Sequence, residues 1–417
     1  MVNTVAHPER TLRQLRLLRL VIALSSFSYA ILEAALPIYL KEINARGTET
    51  GLVISAGYLF SALSRPLIGR GLDRYGRRNF LLLAIAMTGL GMLVYAFSTR
   101  VELLLAAGIL RGFGLGTLLL VAYAMTADLA AEAGRGGSFG GTEQAQYRGG
   151  YIGLAVAVPA LLFTGFNPSG ELRITTMAWA IIFIVCALGC VAAFALAWFR
   201  IEDTHVRVEL ETGLPKPDGR ISRQLYVLMI IVLITSASWS GIAPFILQFI
   251  QDHISKNLLL LAIAYAPAAL MWGILPSRMG VIADRYGRKL PMIVALVVSG
   301  VFSLFIPFLS GTAATIFLAS FATLEAVCYS AATPAEQALV ADLSGGKQRG
   351  FGFGLYTFAL SVGRVIGPLA MGPLYDINPS APFVANGLTL AVGSFLVLFL
   401  IRDPRRDAAK RVPGSVK

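Results

Sequence analysis

The sequence predicts an all-α polytopic membrane protein, with twelve transmembrane helices in two pseudo-twofold-related six-helix bundles. Three observations predict it. Of the 417 residues, 56% are hydrophobic and only 14% charged, with a mean hydropathy of +0.71, whereas soluble domains carry about 25% charged residues. Apolar runs of spanning length follow one another along the whole chain. A bilayer helix needs about 20 mostly apolar residues, so the chain holds about a dozen spans with short loops and no separate soluble domain. Third, parts of the first half recur in the second.

The runs fall near 17–40, 51–69, 79–98, 102–127, 140–163 and 175–199, then near 225–250, 258–279, 290–309, 313–338, 351–371 and 383–401. The first follows Arg10, Arg13, Arg16 and Arg19, as a signal peptide would. No small-residue cleavage site ends a short apolar core, so it is expected to be a retained first helix. The organisation expected is a first bundle at 1–199, a polar cytoplasmic linker at 200–223, and a second bundle with a cytoplasmic tail at 224–417. Basic residues near helix ends stay on the cytoplasmic side. The N-terminus, the loops after even-numbered spans and the C-terminus hold 26 of the 35 Lys and Arg. The opposite loops hold Lys41, Arg46, Arg100, Arg173 and Lys256. Both termini are therefore expected in the cytoplasm of a cell-membrane protein.

The net charge of +12 does not point to nucleic acid, because the basic residues sit between apolar runs rather than in a folded basic domain. Cys186, Cys190 and Cys328 form neither a disulfide framework nor a metal pattern and read as small packing residues. No phosphate loop, metal-ligand cluster or nucleophile–base pair is present. Glycines between Gly112 and Gly116 lie inside an apolar helix with no strand before them, so a dinucleotide site is excluded. The expectation is a non-enzyme without cofactor or metal. A monomer is expected, with protons and a small molecule as partners.

The repeat is explicit. GRGLDRYGRR from Gly69 to Arg78 recurs as GVIADRYGRK from Gly280 to Lys289, with DRYGR identical at an offset of 211. Ala127-Asp128-Leu129 and Arg135-Gly136 recur as Ala341-Asp342-Leu343 and Arg349-Gly350 at an offset of 214. Parallel six-span repeats about an axis along the membrane normal place a binding site between the halves at the midplane. The ten-residue loop resembles the signature of the major facilitator superfamily after its second helix, G-x-L-A-D-R-x-G-R-[RK], with Gly71 and Leu72 in place of Leu and Ala. RGFGLG from Arg111 to Gly116 resembles that family's fourth-helix Arg-Gly motif.

The resemblance implies a transporter working by alternating access, with a conformational latch. Asp73 would face the helix entering at Gly350, where the helix dipole favours an anion, and Arg77 would pair with Asp128. By the repeat, Asp284, Arg288 and Asp342 would form the second latch. These charges could also simply anchor loops and fix topology, and both readings can hold together.

An ionisable residue deep in a span costs a few kcal/mol or more and is a functional candidate by default. Glu33, Arg111 and Glu325 all lie near the expected midplane. At the offset of 214 Arg111 corresponds to Glu325, so opposite charges occupy equivalent places, and Glu33 is a second acid for Arg111. An acid whose partner comes and goes changes its proton affinity. Glu33 and Glu325 therefore lead the proton-coupling candidates, against a static ion pair holding helices together. His7, His205 and His253 fall outside the spans, which leaves coupling to carboxylates.

The fifth span reads GGTEQAQYRGGYIG from Gly140 to Gly153. Glu143, Gln146 and Tyr147 share a face at i, i+3 and i+4, and Gln144 and Arg148 form a neighbouring one. Glu143 is a third proton candidate. Gln146, Tyr147 and Arg148 line a polar path, or Glu143 and Arg148 neutralise each other. Antiporters of the family often carry G-x-x-x-G-P here, but Leu154 replaces the proline, and the pattern stands instead at Gly363–Pro368 in the eleventh span. Arg364 is a cavity candidate that could equally satisfy carbonyls near Pro368. Tyr29, Trp239, Trp272 and Tyr329 are either a greasy site wall or ordinary packing. The function expected is proton-coupled export of a small organic compound. The alternatives are proton-coupled uptake of an organic anion, drawn by Arg111, Arg148 and Arg364, or a non-transporting receptor of the same fold.

Overall fold

The structure, a computed structural model, describes residues 8–129, 141–142, 144–156, 176–204, 222–254, 266–268, 270–271, 274–275, 279, 287–344 and 349–402. It divides into two compact units, Met1–Glu211 and Thr212–Lys417, and each has its own apolar core. Among the described residues no strand occurs, and eight helices are long and apolar enough to cross a membrane.

In the first unit the helices are α1 (Pro8–Ser25), α2 (Phe27–Glu42), α3 (Gly47–Tyr75), α4 (Arg77–Phe97), α5 (Val101–Leu129) and α6 (Thr176–Arg200), with residues 144–156 also helical. Two expectations are corrected. The first apolar run forms two helices, because the chain breaks at Ser26. There the Ser25 hydroxyl donates to the carbonyls of Val21 and Ile22 at 2.8 and 3.1 Å, a local competition that bends helices. The signature at 69–78, expected as a loop, is helical through Tyr75. The turn is concentrated in Gly76, at φ 85°, where a side chain would be strained.

α2 closes at Asn44, whose φ of 62° lets Ala45 N–H donate to the Leu40 carbonyl at 2.9 Å. α3 and α5 touch along a stripe of small residues. A Cβ on Gly108, Gly112 or Gly116 would lie 2.8 Å from the Val53 carbonyl, 2.0 Å from that of Gly57, or 2.6 Å from the Ser61 hydroxyl. Such contact between backbones substitutes for the missing hydrophobic drive between helices in lipid.

The second unit contains α7 (Arg223–His253), α8 (Lys289–Phe305, continued by a 3-10 turn at Ile306–Phe308), α9 (Gly311–Ser344), α10 (Arg349–Ile377) and α11 (Ala381–Leu400). Ser222 caps α7 by accepting from Gln224 N–H at 3.2 Å. The Asn386 side chain of α11 joins Ser238 of α7 to Ser303 of α8, accepting from the first and donating to the second at 3.0 Å. All three residues are buried, and such a satisfied node fixes how three helices meet.

The repeat reappears in the packing. Gly149 and Gly153 lie against the carbonyls of Ala23 and Phe27, where a Cβ would come within 2.1 and 2.2 Å. Gly363 and Gly367 lie likewise against the carbonyls of Leu233 and Ala237, where a Cβ would come within 2.6 and 2.2 Å. The two glycines are shifted by the offset of 214 found in the sequence, and the carbonyls they meet by 210, one helical turn less.

Candidate functional site

Each unit carries the same device where the signature turns. In the first, the Arg77 guanidinium straddles Asp128, with Nε donating to Oδ2 and Nη2 to Oδ1 at 3.1 Å, a bidentate and charge-assisted arrangement. Asp203 accepts from Arg77 N–H at 3.0 Å, capping α4, and Thr204 donates to Asp128 Oδ2 at 2.9 Å. A side chain on Gly76 would lie 2.1 Å from Asp203 Oδ2. Arg78 donates to the Trp198 carbonyl at the end of α6 and lies 5.6 Å from that indole ring. In the second unit, Gly287 repeats the positive φ at 93°. Arg288 meets Asp342 at 3.4 Å, and Lys289 donates to the carbonyls of Leu398 and, at 2.9 Å, Ile401 at the end of α11. The side chain of Asp73 and the whole of Asp284 lie outside the described residues.

Of the residues expected deep in spans, Arg111 is 9% exposed on α5. Its near neighbour on α4 is the buried Tyr95 hydroxyl, within electrostatic reach. Gln146 is 6% exposed, whereas Tyr147, at 43%, meets the Tyr29 ring edge-on at 6.3 Å. Arg148 is exposed. Beside this segment the hydroxyls of Thr126 and Thr142 are 2.9 Å apart and buried. The side chain of Glu33, and Glu143 and Trp272 altogether, lie outside the described residues.

In the second unit Glu325 is partly buried on α9 and faces Ser299 of α8. One turn on, the Tyr329 ring packs 5.4 Å from Trp239 of α7, and its hydroxyl is within electrostatic reach of both Glu325 and Glu336. Sequence reasoning missed Glu336. It is hydrogen-bonded to Tyr356 of α10, and Tyr356 in turn lies within reach of the exposed Arg364. The signal was its spacing, since Glu336 lies on the same face of α9 as Glu325.

At the end of α2, outside the spans, Glu42 accepts from the Trp179 indole N–H. Desolvation pushes its carboxyl up to about 7, against smaller lowering effects of the Trp179 hydrogen bond and Lys41. Trp179 continues into rings of Tyr39 and Phe183, and the Tyr39 hydroxyl donates to the Ser98 carbonyl at 2.7 Å.

A family model described as Major Facilitator Superfamily matches residues 18–321 and 228–416. The chain belongs to the major facilitator superfamily. It is therefore a multi-pass membrane transporter rather than an enzyme. Among superfamily relatives, it is 22% identical to multidrug resistance protein 2 of Bacillus subtilis over 400 residues, covering 93% of this chain and 96% of that one. It is also 22% identical to the quinolone resistance protein NorA of Staphylococcus aureus, covering 90% of this chain and 92% of the relative. The crystal structure of the nucleoside transporter NupG superposes with a TM-score of 0.73 at 12% identity, covering 93% of this chain and 98% of that one. This likeness is one of fold.

Proposed function

We propose that this superfamily member is a proton-coupled exporter of small organic compounds working by alternating access, with both termini in the cytoplasm. Glu325 carries the reading. It is a carboxyl in an apolar span that faces the Ser299 hydroxyl and lies within electrostatic reach of the Tyr329 hydroxyl. Held among apolar groups in one conformation and wetted in another, a carboxyl takes up a proton and yields it again. Glu33 is proposed as its counterpart in the first unit. Full-length similarity to proteins named for multidrug and quinolone resistance supports small organic compounds as the cargo.

The test is transport of norfloxacin and of ethidium by inverted membrane vesicles under an imposed pH gradient. Export predicts accumulation inside the inverted vesicles when their interior is acid, with collapse on adding a protonophore. Accumulation of an organic anion in right-side-out vesicles, with neither compound moved in the inverted ones, would favour the uptake reading that Arg111 motivates.

A further inference from the structure

Glu336 lies eleven residues beyond Glu325 on α9, with Tyr329 between them. At 3.6 residues per turn the three positions fall within about 40° of one another, on one face, separated by rises of about 6 and about 10 Å along the axis. The ladder runs from mid-span toward the helix end that bears Asp342. Across from its last rung, Tyr356 is 6% exposed and packs with Ala335, Leu339, Val340 and Ala359.

We propose that Glu336, hydrogen-bonded to Tyr356, is the stop at which a proton leaving Glu325 is held before release at the Asp342 end of α9. The inference rests on the proton-coupled reading above. A phenol both donates and accepts. The ionised Glu336 carboxylate accepts from the Tyr356 O–H, and the protonated carboxyl donates to the same oxygen. The pair therefore keeps its contact in both states, which lets the site load and unload without repacking its apolar surround. One proton arrives from the Glu325 carboxyl and one leaves to water, with no other bond changed. The groups facing Glu336 fit this use. On its own helix it is within reach of Tyr329, and from α10 it meets Tyr356, with Arg364 acting through that phenol. α8 brings Ser299 beside the Tyr329 rung, and Arg288, just before that helix, is paired with Asp342 farther along. The titratable groups of α7, Arg223, Tyr226, Asp252 and His253, stand at its ends.

The experiment uses the full-length protein in liposomes with an entrapped pH dye and norfloxacin as the driven probe. It is joined by substrate-free infrared titration of carboxyl bands. Glu336→Gln is expected to remove one titrating carboxyl band and to slow norfloxacin-linked proton release on the order of a hundredfold, the effect of losing a positioned proton-transfer group. Norfloxacin exchange at equal pH should stay near wild type, and Glu336→Asp should restore much of the release. Tyr356→Phe, which keeps the ring volume, should shift the band and the pH profile of release. Wild-type band count and release rate in Glu336→Gln would overturn the proposal while leaving Glu325 coupling intact. Absence of proton release in the wild type would overturn the proton-coupled reading and this stop with it.

Discussion

Glu42, at the end of α2, makes a residue-scale prediction that the Trp179 indole reads out. With its carboxyl raised from an ordinary 4.5 to about 7, the folded state holds a proton between those values that the unfolded chain has already lost. The contribution to stability is therefore full below about 4.5 and is lost as the pH rises through about 7. In a variant retaining Trp179 alone of the four tryptophans, fluorescence should titrate with a midpoint near 7, and Glu42→Gln should flatten it. A pH-independent signal in the parent would show that the indole does not sense this carboxyl. Residues of this kind were only partly legible in advance. Arg77 with Asp128 was readable through the resemblance of its stretch to the superfamily signature, and Arg288 with Asp342 because that stretch occurs twice. Asp203, which caps α4, occurs once, in a stretch that reads as polar linker. Glu336 stands two residues before the end of its apolar run, where a carboxylate resembles a loop anchor. Contacts made by single residues across long sequence separations leave no periodic trace.

At the scale of elements, hydropathy located most helices within a few residues, because the length of a span is set by the bilayer rather than by local propensity. It missed the break at Ser26 and the continuation of α3 to Tyr75, since both depend on how hydroxyls and one glycine satisfy the backbone. The glycine contacts supply a prediction. A Cβ on Gly153 would sit 2.2 Å from the Phe27 carbonyl, and one on Gly367 would sit 2.2 Å from that of Ala237, whereas Gly354 has open space around it. Gly153→Ala and Gly367→Ala should each cost about 1–3 kcal/mol by overpacking. Both should lower the melting temperature in detergent, with Gly354→Ala close to wild type. Equal melting of all three would mean that these helices do not approach so closely.

Across the whole molecule, sequence motifs recur at offsets of 211 and 214 and the contact glycines at 214, so the two halves follow one plan. The Arg–Asp pairs follow that plan with different geometry, bidentate at Arg77 and at 3.4 Å at Arg288. Arg77→Ala and Asp128→Asn should each impair transport, and the double variant should be no worse than either, with a coupling energy of about 1 kcal/mol in a stability cycle. Additive losses would remove the pair as a functional unit. We propose that carboxyls within the spans exchange protons as cargo moves, with Glu325 foremost. This is tested most directly by adding norfloxacin to liposomes holding the wild type, Glu33→Gln or Glu325→Gln and recording proton and norfloxacin movement together. Linked movement is expected in the wild type, and norfloxacin exchange without proton movement in Glu325→Gln. Linked movement of wild-type size in both variants would contradict it.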